Sequence, residues 1–169
     1  MGYVHDTAMS QFIPPAAVGF SAGTWADALA SNVWCKSRTA ADASFTIGIP
    51  VLLPSNSAAL KGACLQSIDV WYSIATAAAD DFASVSLYAD TLAASGTANS
   101  AAAVTATLDA AHDTAAERKA TGEHKLTLTL ATPVWVDHEA AYHVELVVDA
   151  AATTVFKLFG ARANYTLRL

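Results

Sequence analysis

The sequence predicts an all-β fold: a single antiparallel β-sandwich, jelly-roll-like, with about eight strands, an extended N-terminal arm and at most one short helix. Three observations carry this. Apolar residues recur at every second position from Asn32 onward, the period of a strand with one buried face. Turn-prone clusters separate the runs. Threonines fill the positions between leucines near the end of the chain, as the exposed face of a pleated sheet favours. At 169 residues and 17.5 kDa the chain fits one core, because single cores span roughly 50 to 200 residues. The expected division is an arm over 1–30 and a sandwich domain over 31–169.

Residues 1–30 lack a sustained period, as Phe12-Ile13-Pro14-Pro15 and Gly19-Phe20-Ser21-Ala22-Gly23 illustrate, and so read as an extended arm. Its apolar residues Tyr3, Phe12, Ile13, Phe20 and Trp25 are poorly suited to solvent, so the arm packs along its own domain or reaches onto a neighbouring subunit. Phe45, Ile47, Ile49, Val51 and Leu53 alternate as the first clear strand, followed by Ile68, Val70, Tyr72 and Ile74, then by Val85, Leu87 and Ala89. Ala93 to Ala103 reads as a long loop, since Ser95, Gly96, Thr97 and Ser100 interrupt its alanines. Ala110 to Lys119 is the best helix candidate, with Asp109 as N-cap and Arg118 and Lys119 near its end. Leu126, Leu128 and Leu130 alternate with Thr127 and Thr129; Tyr142, Val144, Leu146 and Val148 follow. Val155 to Phe159 is more continuously apolar, and Tyr165, Leu167 and Leu169 close the chain in phase. The turns fall at Pro54-Ser55-Asn56-Ser57, Asp80-Asp81, Ser95-Gly96-Thr97, Thr121-Gly122-Glu123 and Asp137-His138-Glu139.

Charged residues make up only 14% of the chain, against about 25% in a typical soluble domain, and mean hydropathy is +0.35. Part of the surface is therefore expected to lie against other copies. A net charge of −6 with nine scattered Lys and Arg argues against direct nucleic-acid binding. No apolar run reaches the roughly 18 residues of a membrane span, and Met1 to Ser10 has no leader pattern, so the mature chain is expected to begin at Met1. Asp6 stands where a myristoylation motif wants Ser or Thr. Cys35 and Cys64 allow one disulfide without demanding it, and two buried thiols fit better. Asn164-Tyr165-Thr166 matches a glycosylation sequon but sits in an expected strand and reads as chance.

Catalytic signals are sparse. His5, His112, His124, His138 and His143 have no Gly-x-Ser-x-Gly elbow to serve. His112-Asp113 reads as a solvated pair, because adjacent side chains diverge. Asp137, His138, Glu139 and His143 offer metal-ligand types without zinc spacing. Asp80, Asp81 and Asp90 form an acidic group better read as wet hairpin ends than as a calcium site. No phosphate loop, dinucleotide fingerprint or paired carboxylates appear; neither enzyme activity nor a cofactor is expected. Four tryptophans, Trp25, Trp34, Trp71 and Trp135, could stack on sugar rings. Trp34 and Trp71 fall on the strand face opposite the main apolar set, as an intersubunit contact or a ligand platform, and the low charge favours the contact.

With the arm Met1 to Pro15, the alternating strands and the closing Phe159-Gly160-Ala161-Arg162-Ala163-Asn164-Tyr165-Thr166-Leu167, the chain resembles small virion structural proteins of bacteriophage and metagenomic origin, Ala/Thr-rich β-sandwiches. The resemblance is one of layout across the whole chain. It implies a capsid, decoration or other particle-forming role, with other virion proteins as partners, and transfers no catalytic residue. The expected function is a non-enzymatic subunit that self-assembles into a trimer or a larger particle, using Tyr3, Phe12, Ile13, Phe20 and Trp25 as an assembly arm. The alternative is a carbohydrate-binding β-sandwich module using Trp34 and Trp71.

Overall fold

Alternation with period 2 puts every second side chain on one face, and two such faces bury each other only if the strands form two stacked sheets. The computed structural model describes residues 5–55, 60–91 and 100–168, and among them twelve strands form two antiparallel sheets. The first sheet holds β1 (Thr7–Ile13), β3 (Trp25–Ala30), β4 (Val33–Arg38), β6 (Gly62–Ala75), β9 (Ala106–Leu108), β10 (Gly122–Trp135) and β12 (Val155–Arg168). Its order is β3-β4-β12-β6-β10-β9, with β1 also paired to β12. The second sheet, ordered β2-β5-β11-β7-β8, holds β2 (Gly19–Phe20), β5 (Ala43–Val51), β7 (Asp81–Thr91), β8 (Ser100–Val104) and β11 (Ala140–Ala150). From β4 onward the chain crosses repeatedly between the sheets, the jelly-roll-like winding that was expected.

The core lies where the alternating sets meet. Phe45, Ile47, Ile49, Val144, Leu146 and Val148 of the second sheet face Ile68, Val70, Tyr72, Ile74, Leu126 and Leu128 of the first, all buried. Each such side chain contributes about 1.5–3 kcal/mol on burial. Cys35 and Cys64 are buried and free, and burial raises both thiols above their ordinary pKa.

Several expectations are corrected. The arm is part of the sandwich: β1 pairs with β12 from Thr7 opposite Leu167 to Ile13 opposite Ala161, Gly19 and Phe20 pair with β5, and Trp25–Ala30 forms a hairpin with β4. A boundary between residues 30 and 31 would cut that hairpin at its turn. These strands showed no period because β1 is exposed on both faces until Ile13. The strand count rises from about eight to twelve largely through these three strands and two short ones, β8 and β9. Part of the expected loop Ala93 to Ala103 is strand β8, paired to the edge of β7; its remainder up to residue 99, like Tyr3, Asn56, Ser57 and Leu169, lies outside the described residues. Edge pairing overrides the helix preference of its alanines.

The helix expected over Ala110 to Lys119 shrinks to α1 (Ala115–Arg118). Thr114, not Asp109, caps it, in a reciprocal box with Glu117. Asp109 instead accepts from the backbone N–H groups of Ala111 and Thr127. The buried Arg118 guanidinium fixes α1 against β7 by donating to the carbonyls of Phe82, His112 and Asp113.

Candidate functional site

One edge of the first sheet is built unlike the rest. β6 lies beside β12 along its whole length, while the other side of β12 is shared: β4 pairs with Lys157 and Leu158, and β1 with Ala161 to Leu167. Between them the ladder slips at Gly160, where φ is +123° and an added Cβ would come within 2.7 Å of the Ile13 carbonyl and 2.9 Å of the Phe12 ring. Only glycine fits there, and the end of β1 closes over it.

The β3–β4 hairpin turns at Ser31 and Asn32, with φ of 50° and 66°, the paired positive values of a type I′ turn. Cross-strand pairs Leu29–Trp34 and Ala30–Val33 sit at its tip. Leu29 is 65% exposed, Val33 52% and Trp34 50%. Phe12 on β1 is 53% exposed.

Hairpin, β1 and the ends of β6 and β10 enclose an open groove of about 340 Å³, lined by Phe12, Val33, Trp71, Glu123 and Phe159, while the Tyr72 ring, one residue on from Trp71, is buried on the opposite, core face. Trp71 is held by cations, the Arg162 Cζ 5.2 Å and the Lys125 Nζ 5.9 Å from its ring centroid. Both cations are anchored by Asp69, whose Oδ2 accepts from Arg162 Nη2 at 2.8 Å and from Asn164 Nδ2 at 3.1 Å, while Oδ1 accepts from Thr127 Oγ1 at 2.8 Å and lies 3.3 Å from Lys125 Nζ. Burial alone would raise the Asp69 pKa; these donors outweigh it and hold the carboxyl at about 2.

The residues assigned to an assembly arm divide. Ile13 is buried in the core. Phe20 stacks on Trp25 with centroids 3.9 Å apart, and Trp25 packs edge-on against Phe45 and Phe156 while donating its indole N–H to Ala22 O. Those three side chains are engaged within their own domain and are corrected as arm contacts; of the described arm residues, Phe12 alone presents a largely exposed ring. Trp34 and Trp71 are not brought together: Trp71 walls the groove, and Trp34 sits on the hairpin face opposite Val33.

The polar candidates also disperse. His143 Nδ1 lies 2.6 Å from Asp90 Oδ2, with its ring stacked on Tyr88, while His138 lies against Asp137 at 3.2 Å. Asp81 accepts from the Phe82 N–H. Among the described residues no group of three or more His, Cys, Asp or Glu side chains is placed to hold a metal ion. The solvated His112–Asp113 pair is corrected: His112 is buried and bonds Asp109, three residues back in a tight turn. Asn164 of the sequon is engaged with Ser67 and Asp69.

Sequence reasoning gave no site role to Leu29, Val33, Phe159, Gly160 or Glu123. The available signals were an Asn-containing turn between apolar pairs and an isolated glycine inside a strand pattern.

No protein-family model matches the chain, and no curated protein matches it. Among solved structures it is similar to TmCBM61 in complex with β-1,4-galactotriose, at 11% identity and a TM-score of 0.36, over 96% of this chain and 88% of that one. It is also similar to a structure from work on the promiscuous specificity of carbohydrate-binding modules of the β-sandwich superfamily, at 10% identity and a TM-score of 0.38, over 97% of this chain and 56% of that one. At these scores the likeness carries no argument about ligand or function.

Proposed function

We propose that the chain is a non-enzymatic structural subunit that self-associates through the edge of its first sheet, as a particle-forming protein such as a virion capsid or decoration subunit. One observation carries this reading. Of seven large apolar side chains that stand exposed among the described residues, five (Met9, Phe12, Leu29, Val33 and Trp34) belong to β1 and the β3–β4 hairpin. Such concentration marks a contact surface rather than scattered exposure. β1 itself, Thr-Ala-Met-Ser-Gln-Phe-Ile, carries no charge and no proline, so it lacks the devices by which an edge strand avoids another copy. The groove beside it offers a seat for apolar side chains of that copy.

Light scattering after size exclusion, with negative-stain images of the same peak, tests this. Wild type is expected to run as a trimer or larger, and Phe12→Arg or Val33→Arg to lower the mass with β-sheet circular dichroism intact. A monomeric wild type, or variants that assemble normally, would sink the proposal.

A second reading, a carbohydrate-binding module, is favoured by the Trp71 ring in the groove with the Glu123 carboxylate nearby. It predicts that Trp71→Ala abolishes glycan retention while leaving the mass unchanged; silence across a broad glycan array would count against it.

A further inference from the structure

Backbone direction along β1 follows from one contact at its end. In a strand each residue turns its N–H and C=O to the same side, and successive residues turn to opposite sides. The Ile13 carbonyl lies against Gly160 of β12, where an added Cβ would come within 2.7 Å of it. Ile13, Gln11, Met9 and Thr7 therefore bond to β12, since the register runs without a shift from Thr7 to Ile13. Ala8, Ser10 and Phe12 turn their N–H and C=O groups the other way, toward an edge on which no other described strand pairs. The Phe12 carbonyl accepts there from Gln11 Nε2 at 3.1 Å, and a carbonyl has a second lone pair to offer.

We propose that this edge is completed by the same edge of a second copy: β1 of one chain adds antiparallel to β1 of another across a two-fold axis at Ser10, and the first sheets of the two copies become continuous. The inference rests on the reading of the chain as a subunit that self-associates through this sheet edge, and it names the contact. The register follows from the open groups. With Ser10 opposite Ser10, Ala8 of each copy stands opposite Phe12 of the other, so every outward residue meets an outward residue and each such pair exchanges two backbone hydrogen bonds. A shift by two residues would set Phe12 opposite Asp6, outside the strand, or Ala8 opposite Pro14, which has no N–H to give. A shift by one would set the open groups against residues already bonded to β12.

The side chains agree with that register. Ala8, Ser10 and Phe12 share one face of β1, the face that Phe12 presents to the groove. Pairing sets the exposed Phe12 ring of each copy beside the Ala8 methyl of the other, large against small on both sides of the axis. β1 carries no charge to repel its copy, and the neighbouring Asp6 carboxylate is engaged by Arg168 of its own chain at 2.6 Å. The other edges are less suited: β2 has two residues, β9 three and β8 five, and β3 carries Asp27, held by Lys36. Because Val33 and Phe12 line one groove, the hairpin tip of each copy comes beside the start of β1 of the other. A two-fold contact joins the same patch on both chains and closes in pairs, so a larger particle built on it holds an even number of copies.

Amide hydrogen exchange on the full chain, read residue by residue above and below the assembly midpoint concentration, tests this first. Met9, Gln11 and Ile13 should be protected in both states, and Ala8, Ser10 and Phe12 only in the assembled one. Cross-linking tests the register. Ser10→Cys stands about 5.5 Å, Cα to Cα, from its own copy in a bonded pair, within disulfide reach, and should yield a covalent dimer on oxidation. Ala8→Cys, offset from its copy by four residues or about 14 Å, should not, and the native Cys35 and Cys64 are buried. Ser10→Pro removes an outward N–H while sparing the bonds to β12, and should raise the midpoint concentration at least about tenfold with β-sheet circular dichroism intact; should that variant fail to fold, exchange and cross-linking decide. An assembled chain whose Ala8, Ser10 and Phe12 amides stay unprotected, equal cross-linking of Ala8→Cys and Ser10→Cys, a folded Ser10→Pro that assembles as wild type, or a trimer by light scattering would overturn the strand pairing. Each of these leaves the sheet-edge reading to its own test with Phe12→Arg and Val33→Arg. A chain that stays monomeric at every concentration would overturn both.

Discussion

Asp69 shows how one side chain can determine the chemistry of a sheet face. Its side chain is only 4% exposed, yet it stays ionised because Arg162, Thr127, Asn164 and Lys125 converge on it. With a folded pKa of about 2 against about 3.9 in an unfolded chain, the group contributes stability that is complete above pH ~4 and is lost as pH falls toward 2. The urea midpoint of wild type should therefore drop across that window, and the share of the drop due to this group should vanish in Asp69→Asn. Asp69→Ala should cost about 3 kcal/mol at neutral pH, since it leaves two cations converging on an empty site; a loss under about 1 kcal/mol would mean that solvent already screens the cluster.

At the scale of elements, the N-terminal strands decide whether an arm exists apart from the sandwich. Removing residues 1–20 takes away β1, uncovers β12 from Ala161 to Leu167, and removes Ile13 from the core and Phe20 from its stack on Trp25. Two such side chains represent roughly 3–6 kcal/mol of burial, a large part of the 5–15 kcal/mol that holds a typical domain together. The expected outcome is a loss of cooperative thermal unfolding rather than a folded, smaller oligomer. A truncated chain with native circular dichroism and an unchanged melting temperature would restore the detachable arm. The same strands explain what the sequence could and could not convey. β5, β6, β10 and β11 were legible because one face is buried and the other wet, as Phe45-Thr46-Ile47-Gly48-Ile49 shows. β1 was not, because exposure on both faces erases the period. β12 is legible only in part, because the slip at Gly160 moves its buried set from Phe156 and Leu158 to Ala161, Ala163 and Tyr165, which no single phase describes. The groove was hidden for the same reason: it forms where β1, the hairpin tip and that slip meet, and no spacing within one segment encodes the meeting.

For the molecule as a whole, the low charge and the exposed apolar edge imply a particular response to solvent. A stable contact buries about 800 Å² per partner, roughly a tenth of the 8626 Å² that this chain exposes. The proposed edge exposes Met9, Phe12, Leu29, Val33 and Trp34, and β1 has no charge to screen. Salt shortens the reach of charge interactions to about 3 Å at 1 M, whereas apolar association persists there and weakens on cooling. The assembly should therefore keep its mass when NaCl is raised from about 0.1 to about 1 M, and its midpoint concentration should rise between about 30 °C and about 5 °C. Light scattering at the four conditions separates the alternatives. Dissociation by salt with indifference to temperature would locate the contact instead in ion pairs, and the exposed Arg168–Asp6 pair, at 2.6 Å beside β1, would be the first to substitute.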